Sequence, residues 1–311
     1  EFYMFGIKMD PNGMNVSVPE NTSGYLNNGQ SMFVKCADNS IIVIDGGHSC
    51  QMEPDDEERF SKLLHQITGV DENETITISA WFITHAHPDH VQGFARALRE
   101  HPNKYKVERL ICNLPNPTSL HEGQGNIVCH ASDTVAELCP ESQEIKVHTG
   151  DVIQIADVTI TILYTHEELT NEEGKFGSKD FNSTSTVAMM ETSNGMKMLV
   201  TGDITTKAEK VLCNHFSRAT LKCDILQQPH HNFNNNSVIY ESADAPIMFI
   251  LQTPGGLVKN QEMIERSTLA KKWCREWYSG GNETVGFAYD GGETKQIYYA
   301  QDIYNNKKKE D

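Results

Sequence analysis

Four residues within six positions of the sequence could bind metal ions. His85, His87, Asp89 and His90 form the segment HAHPDH, which directly follows an apolar stretch. Residues i and i+2 of an extended chain point to the same side, so His85 and His87 can present two imidazoles to one cation. Asp89 and His90 fall where a helical pattern begins and can face a second cation beside the first. Without a metal, three imidazoles this close would repel one another as they took up protons, so the motif indicates a metal site rather than a polar loop with incidental histidines.

Two later segments offer further ligands at comparable places. Asp203 ends GMKMLVTGD, and His230 and His231 end CDILQQPHH. Each follows an apolar segment that reads as a strand, and α/β sheets place their sites just beyond the carboxyl ends of strands. Neighbouring residues on an extended segment face opposite ways, so we expect only one of the two histidines to be a ligand.

The elements that position these residues follow an α/β pattern. Periodicity predicts strands in SIIVIDGG and TITISAWF, and helices in PDDEERFSKLLHQITG and in HVQGFARALREH after Asp89. In the second half, DVTITILYT, STVAMMET and GMKMLVTGD are typical of strands and TTKAEKVLCNHF of a helix. A further helix is predicted over 261–279, followed by strands in TVGFAYD and TKQIYYAQD. No linker or short repeat divides the chain, so we expect one domain over residues 1–311, built from two similar halves.

Composition limits the function classes. Hydrophobic residues make up 38% of the 311 residues, charged residues 22%, and the mean hydropathy is -0.48, as in globular proteins. No apolar run approaches a membrane span. The formal net charge of -17 argues against a surface built to hold nucleic-acid backbone, although two divalent cations would reverse the charge of one cleft. The eight cysteines form no CxxC pair and are expected to be free thiols. They leave the compartment open, with a soluble cytoplasmic protein favoured over a secreted one.

Four segments together resemble a known family. IIVIDGG, THAHPDH, LVTGD and PHH, in this order and at these intervals, are similar to the metallo-β-lactamase fold of hydrolases over nearly the whole chain. Within that superfamily the sequence is similar to the soluble domain of ComEC-type DNA-uptake proteins and to phosphorylcholine esterases, through the turns NGQS at 28–31 and NSTS at 182–185 and the double histidine. The resemblance implies an α/β fold, the four-layer αβ/βα metallo-β-lactamase sandwich, with a dinuclear site at one edge.

The resemblance also implies a role for each candidate ligand. One metal would be held by His85 and His87, the other by Asp89 and His90, with Asp203 bridging the two. His231 is favoured as the ligand that completes the second site.

Three further residues receive roles beside this ligand set. The resemblance places His230 over the substrate as a hydrogen-bond donor or general acid, so that Asp89 and His230 are the expected catalytic residues. Asp45, in VIDGG, matches the family's first motif and would orient an imidazole through its free nitrogen. The alternative is that Asp45 caps the glycine turn.

One departure from the family concerns a third histidine on the first metal. Most members carry it in an HxxGHT-like stretch before the bridging aspartate, and this sequence has no such stretch. His166, in LYTHEE, lies at about the right interval and is the candidate, against an exposed loop imidazole as the alternative; His121, His130 and His148 are weaker. If none binds, the first metal keeps an open position for a substrate that coordinates it directly.

The resulting hypothesis is a dinuclear metal hydrolase with two Zn²⁺ ions, for which Mn²⁺ or Fe²⁺ would also suit the ligands. The metals would lower the pKa of a bridging water and stabilise the developing oxyanion. The resemblance implies a phosphodiester substrate, in nucleic acid or in a small phosphocholine-like headgroup, and the acidic surface favours a small molecule or a single strand. The alternatives are a β-lactam, lactone or thioester hydrolase with the same site, and a non-catalytic metal-binding module.

Overall fold

Two β-sheets face each other and carry helices on their outer sides. The computed structural model describes residues 1–6, 31–48, 54–121, 123–233, 236–250, 270–279 and 283–301; residues 28–30 of the NGQS turn lie outside this part of the chain. The helices are α1 (Pro54–Thr68), α2 (Pro88–Glu100), α3 (Gln124–Leu138), α4 (Thr206–His215), α5 (Arg218–Leu221) and α6 (Ser237–Ala243).

The first sheet has the order β16-β15-β1-β2-β3-β4-β6-β7, with β5 also paired to β4. Its strands are β1 (Phe2–Met4), β2 (Ser31–Lys35), β3 (Ile41–Asp45), β4 (Ile76–Phe82), β5 (Tyr105–Val107), β6 (Arg109–Cys112), β7 (Gln143–Lys146), β15 (Glu283–Asp290) and β16 (Glu293–Gln301). The second sheet has the order β14-β13-β12-β11-β10-β9-β8. Its strands are β8 (Val152–Ile155), β9 (Val158–Tyr164), β10 (Val187–Thr192), β11 (Lys197–Val200), β12 (Ile225–Gln227), β13 (Ile247–Ile250) and β14 (Glu276–Ser279).

Strand β3 shows why the central strands are apolar on both faces. Ile42 and Ile44 join the core between the two sheets, whereas Ile41 and Val43 join the core beneath α1, α2 and α3. A strand covered on both faces needs a continuous apolar run instead of an alternating one. The second sheet is covered in the same way by α4 and α6. The layers are therefore helices, sheet, sheet and helices, and the predicted αβ/βα sandwich is confirmed.

Parallel pairing brings the ends of several strands to one edge. β3 pairs in parallel with β4, and β4 with β6. In the second sheet, β11, β12 and β13 are parallel neighbours. The loops that follow β3, β4, β11 and β12 therefore leave their sheets at carboxyl ends, and these loops carry the sequence-predicted ligands.

A close contact between two glycines fixes α2 against the end of β3. The Gly93 amide donates to the carbonyl of Gly47, and a Cβ added to Gly93 would lie 2.1 Å from the Gly46 carbonyl oxygen. A Cβ added to Gly46 would lie 2.4 Å from Cβ of Phe94. Glycine is required on both sides of this contact, because any side chain would push the helix away.

The helices predicted around α1, α2 and α4 are confirmed, whereas α3 was not anticipated from periodicity. The helix predicted over 261–279 is wrong at its end, because residues Glu276–Ser279 form β14 and pair in parallel with β13. Residues 261–269 lie outside the described residues. Sheet pairing with a neighbouring strand outweighs a local helical pattern there. We find no helix in the described ranges that combines the length and the apolar character needed to cross a bilayer.

Candidate metal centre

The HAHPDH segment joins β4 to α2 and presents its side chains at the edge of the sheet. The chain leaves β4 in extended form, and His87 still has extended backbone angles (φ -61°, ψ 146°). Pro88 then begins α2, where its fixed φ and missing N–H are tolerated in the first turn. His85 and His90 are fully buried, whereas His87, Pro88 and Asp89 are partly exposed, so the segment has buried ends and a middle that reaches the surface.

The structure brings the candidate ligands together in two groups. Asp89, His90, Asp203 and His231 form one group, and His85, His87 and Asp203 form the other. In each group one ligand atom per residue lies within 4.8 Å of the others. Asp203 belongs to both groups. The two groups are therefore neighbours that share the carboxylate of Asp203.

The two carboxylate oxygens of Asp203 have different surroundings. Its Oδ2 lies 3.3 Å from Nε2 of His90 and 3.4 Å from Nε2 of His231. Its Oδ1 is buried and has no hydrogen-bond partner among the described residues. A buried carboxylate oxygen without a partner is costly. The donor chemistry and this oxygen both fit a bound cation.

Ser185 holds the backbone of Asp203 in place. The Asp203 amide donates to Oγ of Ser185 at 2.9 Å. Gly202, immediately before it, has φ +53°, and an added Cβ would lie 2.9 Å from Ser185 and from Thr84. Ser185 of the NSTS turn and Thr84, the residue before the HAHPDH segment, therefore both limit where Asp203 can lie. The sequence singled out the NSTS turn, but its bond to Asp203 could be seen only in the structure.

His231 enters the ligand group and His230 lies at its margin. Nε2 of His231 lies 3.3 Å from Oδ2 of Asp89 and 3.3 Å from Nε2 of His90. Nε2 of His230 lies 4.0 Å from Oδ2 of Asp203, and its side chain is 19% exposed against 1% for His231.

The prediction that His230 and His231 lie on an extended segment is wrong. Both residues have left-handed backbone angles, with φ 50° for His230 and 47° for His231, instead of the extended conformation. Non-glycine residues adopt this region rarely, and such strain is concentrated at functional sites. The tight turn at Pro229–Asn232, not strand alternation, separates the two rings.

Asp45 lies against His90 at the end of β3. Its Oδ2 is 2.8 Å from Nδ1 of His90, while its two oxygens accept hydrogen bonds from the amide and hydroxyl of Thr84. Nδ1 of His90 is thus engaged, which leaves Nε2 directed toward Asp203 and His231. Trp81 also donates to the Asp45 carbonyl, so the turn is fixed at both its side chain and its backbone.

The two groups differ in charge. Burial opposes the charged form of His90, but the carboxylates of Asp203, Asp45 and Asp89 together raise its pKa well above the ordinary value. Burial likewise opposes charge on His231, yet Asp203 and Asp89 raise its pKa to about 10. Without a cation, the group around these two histidines is therefore a network of paired charges, and a bound cation would displace the imidazole protons.

His85 and His87 are held neutral. Burial, together with the charges of His90 and His87, lowers the pKa of His85 well below its ordinary value. Burial is also the main reason that the pKa of His87 is lowered. Neutral imidazole is the form that binds a metal ion, so this pair is ready to act as ligands.

His166 is not brought into either ligand group. It begins a short helical turn after β9, and its ring packs against Phe176 with centroids 6.5 Å apart. It is 7% exposed, so it is not an exposed loop imidazole either, and burial lowers its pKa to about 4. His121, His130 and His148 also lie outside both groups.

Phe181 and Asn182 contact histidines of the centre. The Phe181 ring packs on His87 with centroids 4.8 Å apart. Nδ2 of Asn182 lies 3.1 Å from Nε2 of His230. Sequence reasoning gave neither residue a role at the site. The signal that could have found Asn182 is its place in the NSTS turn, 21 positions before Asp203.

Comparison with known proteins gives one family match. The family model described as the metallo-beta-lactamase superfamily matches residues 24–238. No curated protein matches the chain.

Several solved structures are similar to the chain at low sequence identity. YhfI from Bacillus subtilis, a metallo-beta-lactamase fold protein, is 12% identical, with a TM-score of 0.45 over 90% of this chain and 96% of that one. Zn²⁺-bound PqqB from Methylobacterium extorquens is 11% identical, with a TM-score of 0.46 over 95% and 99%. Yeast PDE1 is 12% identical, with a TM-score of 0.47 over 90% and 98%.

Proposed function

The chain belongs to the metallo-β-lactamase superfamily, and from that premise we propose that it is a dinuclear metal-dependent hydrolase of phosphodiesters. The observation that carries the proposal is Asp203, which is shared by two ligand groups and has a buried oxygen without a partner in the described residues. Residues 1–311 are taken as one domain. Zn²⁺ is the favoured cation, and Mn²⁺ or Fe²⁺ would suit the same mixture of imidazole and carboxylate.

Each residue of the centre has a task in this proposal. His85, His87 and Asp203 would hold one cation, and Asp89, His90, Asp203 and His231 the other. When bound, the cations supply Lewis-acid activation of water and neutralise charge that develops on the substrate.

Two residues orient the groups around these ligands. Asp45 holds His90 in the orientation that presents Nε2, and Thr84 keeps Asp45 in place. His230 is the imidazole that a substrate can reach, because it is the more exposed of the pair and lies next to Asp203. It would donate a hydrogen bond to the substrate. None of these steps requires a serine or cysteine nucleophile.

The preference for a phosphodiester over a carbonyl compound rests on the sequence resemblance to phosphorylcholine esterases and ComEC-type domains in the NGQS and NSTS turns and the double histidine. The group of His85, His87 and Asp203 has one ligand fewer than its neighbour, which leaves room for an oxygen of either kind of substrate. The net charge of -17 favours a small diester or a single strand over duplex DNA, which binds through many phosphate contacts.

The test is turnover of bis(p-nitrophenyl) phosphate by the full chain loaded with Zn²⁺ or Mn²⁺. The panel includes a chromogenic β-lactam, a lactone and a thioester, so that the bond cleaved is identified. Asp203→Asn should lower kcat/KM at least a hundredfold, and Asp133→Asn, an exposed aspartate on α3, should leave it unchanged. Full activity of Asp203→Asn would refute the centre. Preferred cleavage of a carbonyl substrate would refute the phosphodiester, and bound metal without any turnover would leave a metal-binding module.

A further inference from the structure

The ring of Phe181 lies against both histidines of the group formed by His85, His87 and Asp203. Its centroid is 4.8 Å from that of His87 and 6.3 Å from that of His85, within the range of favourable aromatic pairs. Phe181 is only 4% exposed, and its ring belongs to the apolar core beneath α1, α2 and α3. Phe181 therefore connects these two imidazoles to the core of the protein.

The three histidines of HAHPDH differ in what orients them. Nδ1 of His90 lies 2.8 Å from Oδ2 of Asp45, and Nδ1 of His85 lies 3.1 Å from Oγ1 of Thr84. For His87, the one hydrogen-bond contact that the described residues provide joins its Nδ1 to Nε2 of His85, at 3.0 Å. Because Nδ1 of His85 is engaged by Thr84, Nε2 is the nitrogen that His85 has for a cation. A cation there would end the contact with His87, and the contact of His87 with the Phe181 ring would remain.

Phe181 has a defined position because the short helical turn that it begins, Phe181–Thr184, is tied to two other elements. Ser183 of this turn is fully buried, and its carbonyl accepts a hydrogen bond from the Tyr164 hydroxyl at 2.8 Å. Oγ of Ser183 lies 2.6 Å from Oγ1 of Thr205. The turn is thus fixed to the end of β9 and to the residue before α4, so the ring can hold a neighbouring imidazole in place.

We propose that Phe181 is the positioning residue of His87, and that its ring holds this imidazole in the orientation in which it binds the cation shared with His85 and Asp203. The proposal rests on the metal centre proposed above. Partners that orient a ligating imidazole strengthen metal binding, and the ring does for His87 what the Asp45 carboxylate does for His90. The energy of such an aromatic pair corresponds to a change in affinity of up to about tenfold.

If Phe181 only filled the core, a different set of results would follow. Phe181→Leu keeps an apolar side chain and removes the ring, whereas Phe181→Tyr keeps the ring. Phe176→Leu is the matched control, because Phe176 also lies between β9 and β10, is 3% exposed and packs on His166, outside both ligand groups. With core filling as the sole role, both leucine variants would lose stability and neither would change metal binding.

The experiment titrates the metal-free full chain with Zn²⁺ or Mn²⁺ alone, in competition with a chelator, and needs no substrate. His87→Ala identifies the ion held beside Phe181, and His231→Ala identifies the other ion. Phe181→Leu should weaken the first ion about tenfold and leave the second unchanged, while Phe181→Tyr and Phe176→Leu should match wild type. The absorption spectrum of Co²⁺ bound beside residue 181 should shift in Phe181→Leu alone, and circular dichroism verifies that each variant folds.

Three results would overturn the proposal and leave the metal centre standing: an unchanged affinity in Phe181→Leu, an equal loss in Phe176→Leu, or a loss in Phe181→Tyr as large as in Phe181→Leu. A wild-type chain that binds no divalent cation would overturn both this proposal and the proposed function.

Discussion

Oδ2 of Asp45 lies 2.8 Å from Nδ1 of His90, and both side chains are fully buried. Asp45 also accepts two hydrogen bonds from Thr84, so its carboxylate cannot turn away. The imidazole of His90 is thus fixed with Nε2 toward Asp203 before any cation binds. This contact joins the end of β3 to the first turn of α2.

Asp45→Asn should weaken the cation bound through His90 by 10–100-fold, because carboxylate partners fix and polarise a ligating imidazole. The measurement is a chelator competition with Zn²⁺. Asp133→Asn is the control, and an unchanged affinity in Asp45→Asn would show that Asp45 only caps its turn.

His231→Ala should change the number of bound metal ions, whereas His230→Ala should change only the turnover rate. Since His231 is within 3.4 Å of both Asp89 and Asp203, its removal should reduce the bound metal from two ions to one. His230→Ala should retain both ions and lower kcat for bis(p-nitrophenyl) phosphate at least tenfold. The measurement is the metal content of the purified proteins, with His121→Ala, at an exposed position, as the control. Loss of one metal ion in His230→Ala but not in His231→Ala would show that His230 is the ligand.

Gly93→Ala should destabilise the fold by about 2 kcal/mol or more, because the new Cβ would meet the Gly46 carbonyl oxygen at 2.1 Å. The free energy of unfolding in urea measures this. Arg99→Ala, on the exposed side of the same helix, should change it by less than about 1 kcal/mol. Equal effects of the two variants would contradict the close contact of α2 with the glycine turn.

Glu209 should make stability depend on pH. Burial raises the pKa of the Glu209 carboxyl from 4.5 to about 7, although a hydrogen bond from the Ile239 amide, at 2.9 Å, favours the charged form. An acid whose pKa is raised in the folded state contributes stability below its unfolded pKa and loses it as pH rises. Wild type should therefore lose roughly 3 kcal/mol relative to Glu209→Gln between pH 4.5 and pH 7–8.

Urea unfolding of both proteins across this pH range tests the prediction. Glu172→Gln, in an exposed loop, should follow the wild-type profile. Parallel profiles for wild type and Glu209→Gln would show that Glu209 does not titrate in this range.

From the amino-acid sequence alone one could predict the α/β class, the set of side chains able to bind metal and, through the resemblance of four motifs to a known family, the four-layer sandwich. A continuous apolar run such as IIVID predicts a strand that is covered on both faces. The relative placement of His85 and His87 in HAHPDH is also predictable locally, because residues i and i+2 of an extended chain face the same side.

Which of these donors meet depends on the packing of the two sheets. His85, Asp203 and His231 are far apart in the sequence, and their distances depend on how the two sheets pack. The left-handed turn at Pro229–Asn232 separates His230 from His231 in a way that strand alternation does not describe. The packing of distant segments also leaves His166 outside both groups and places Asn182 beside His230. It also makes Glu276–Ser279 a strand, through pairing with β13. Such outcomes depend on contacts between distant segments, which local periodicity does not encode.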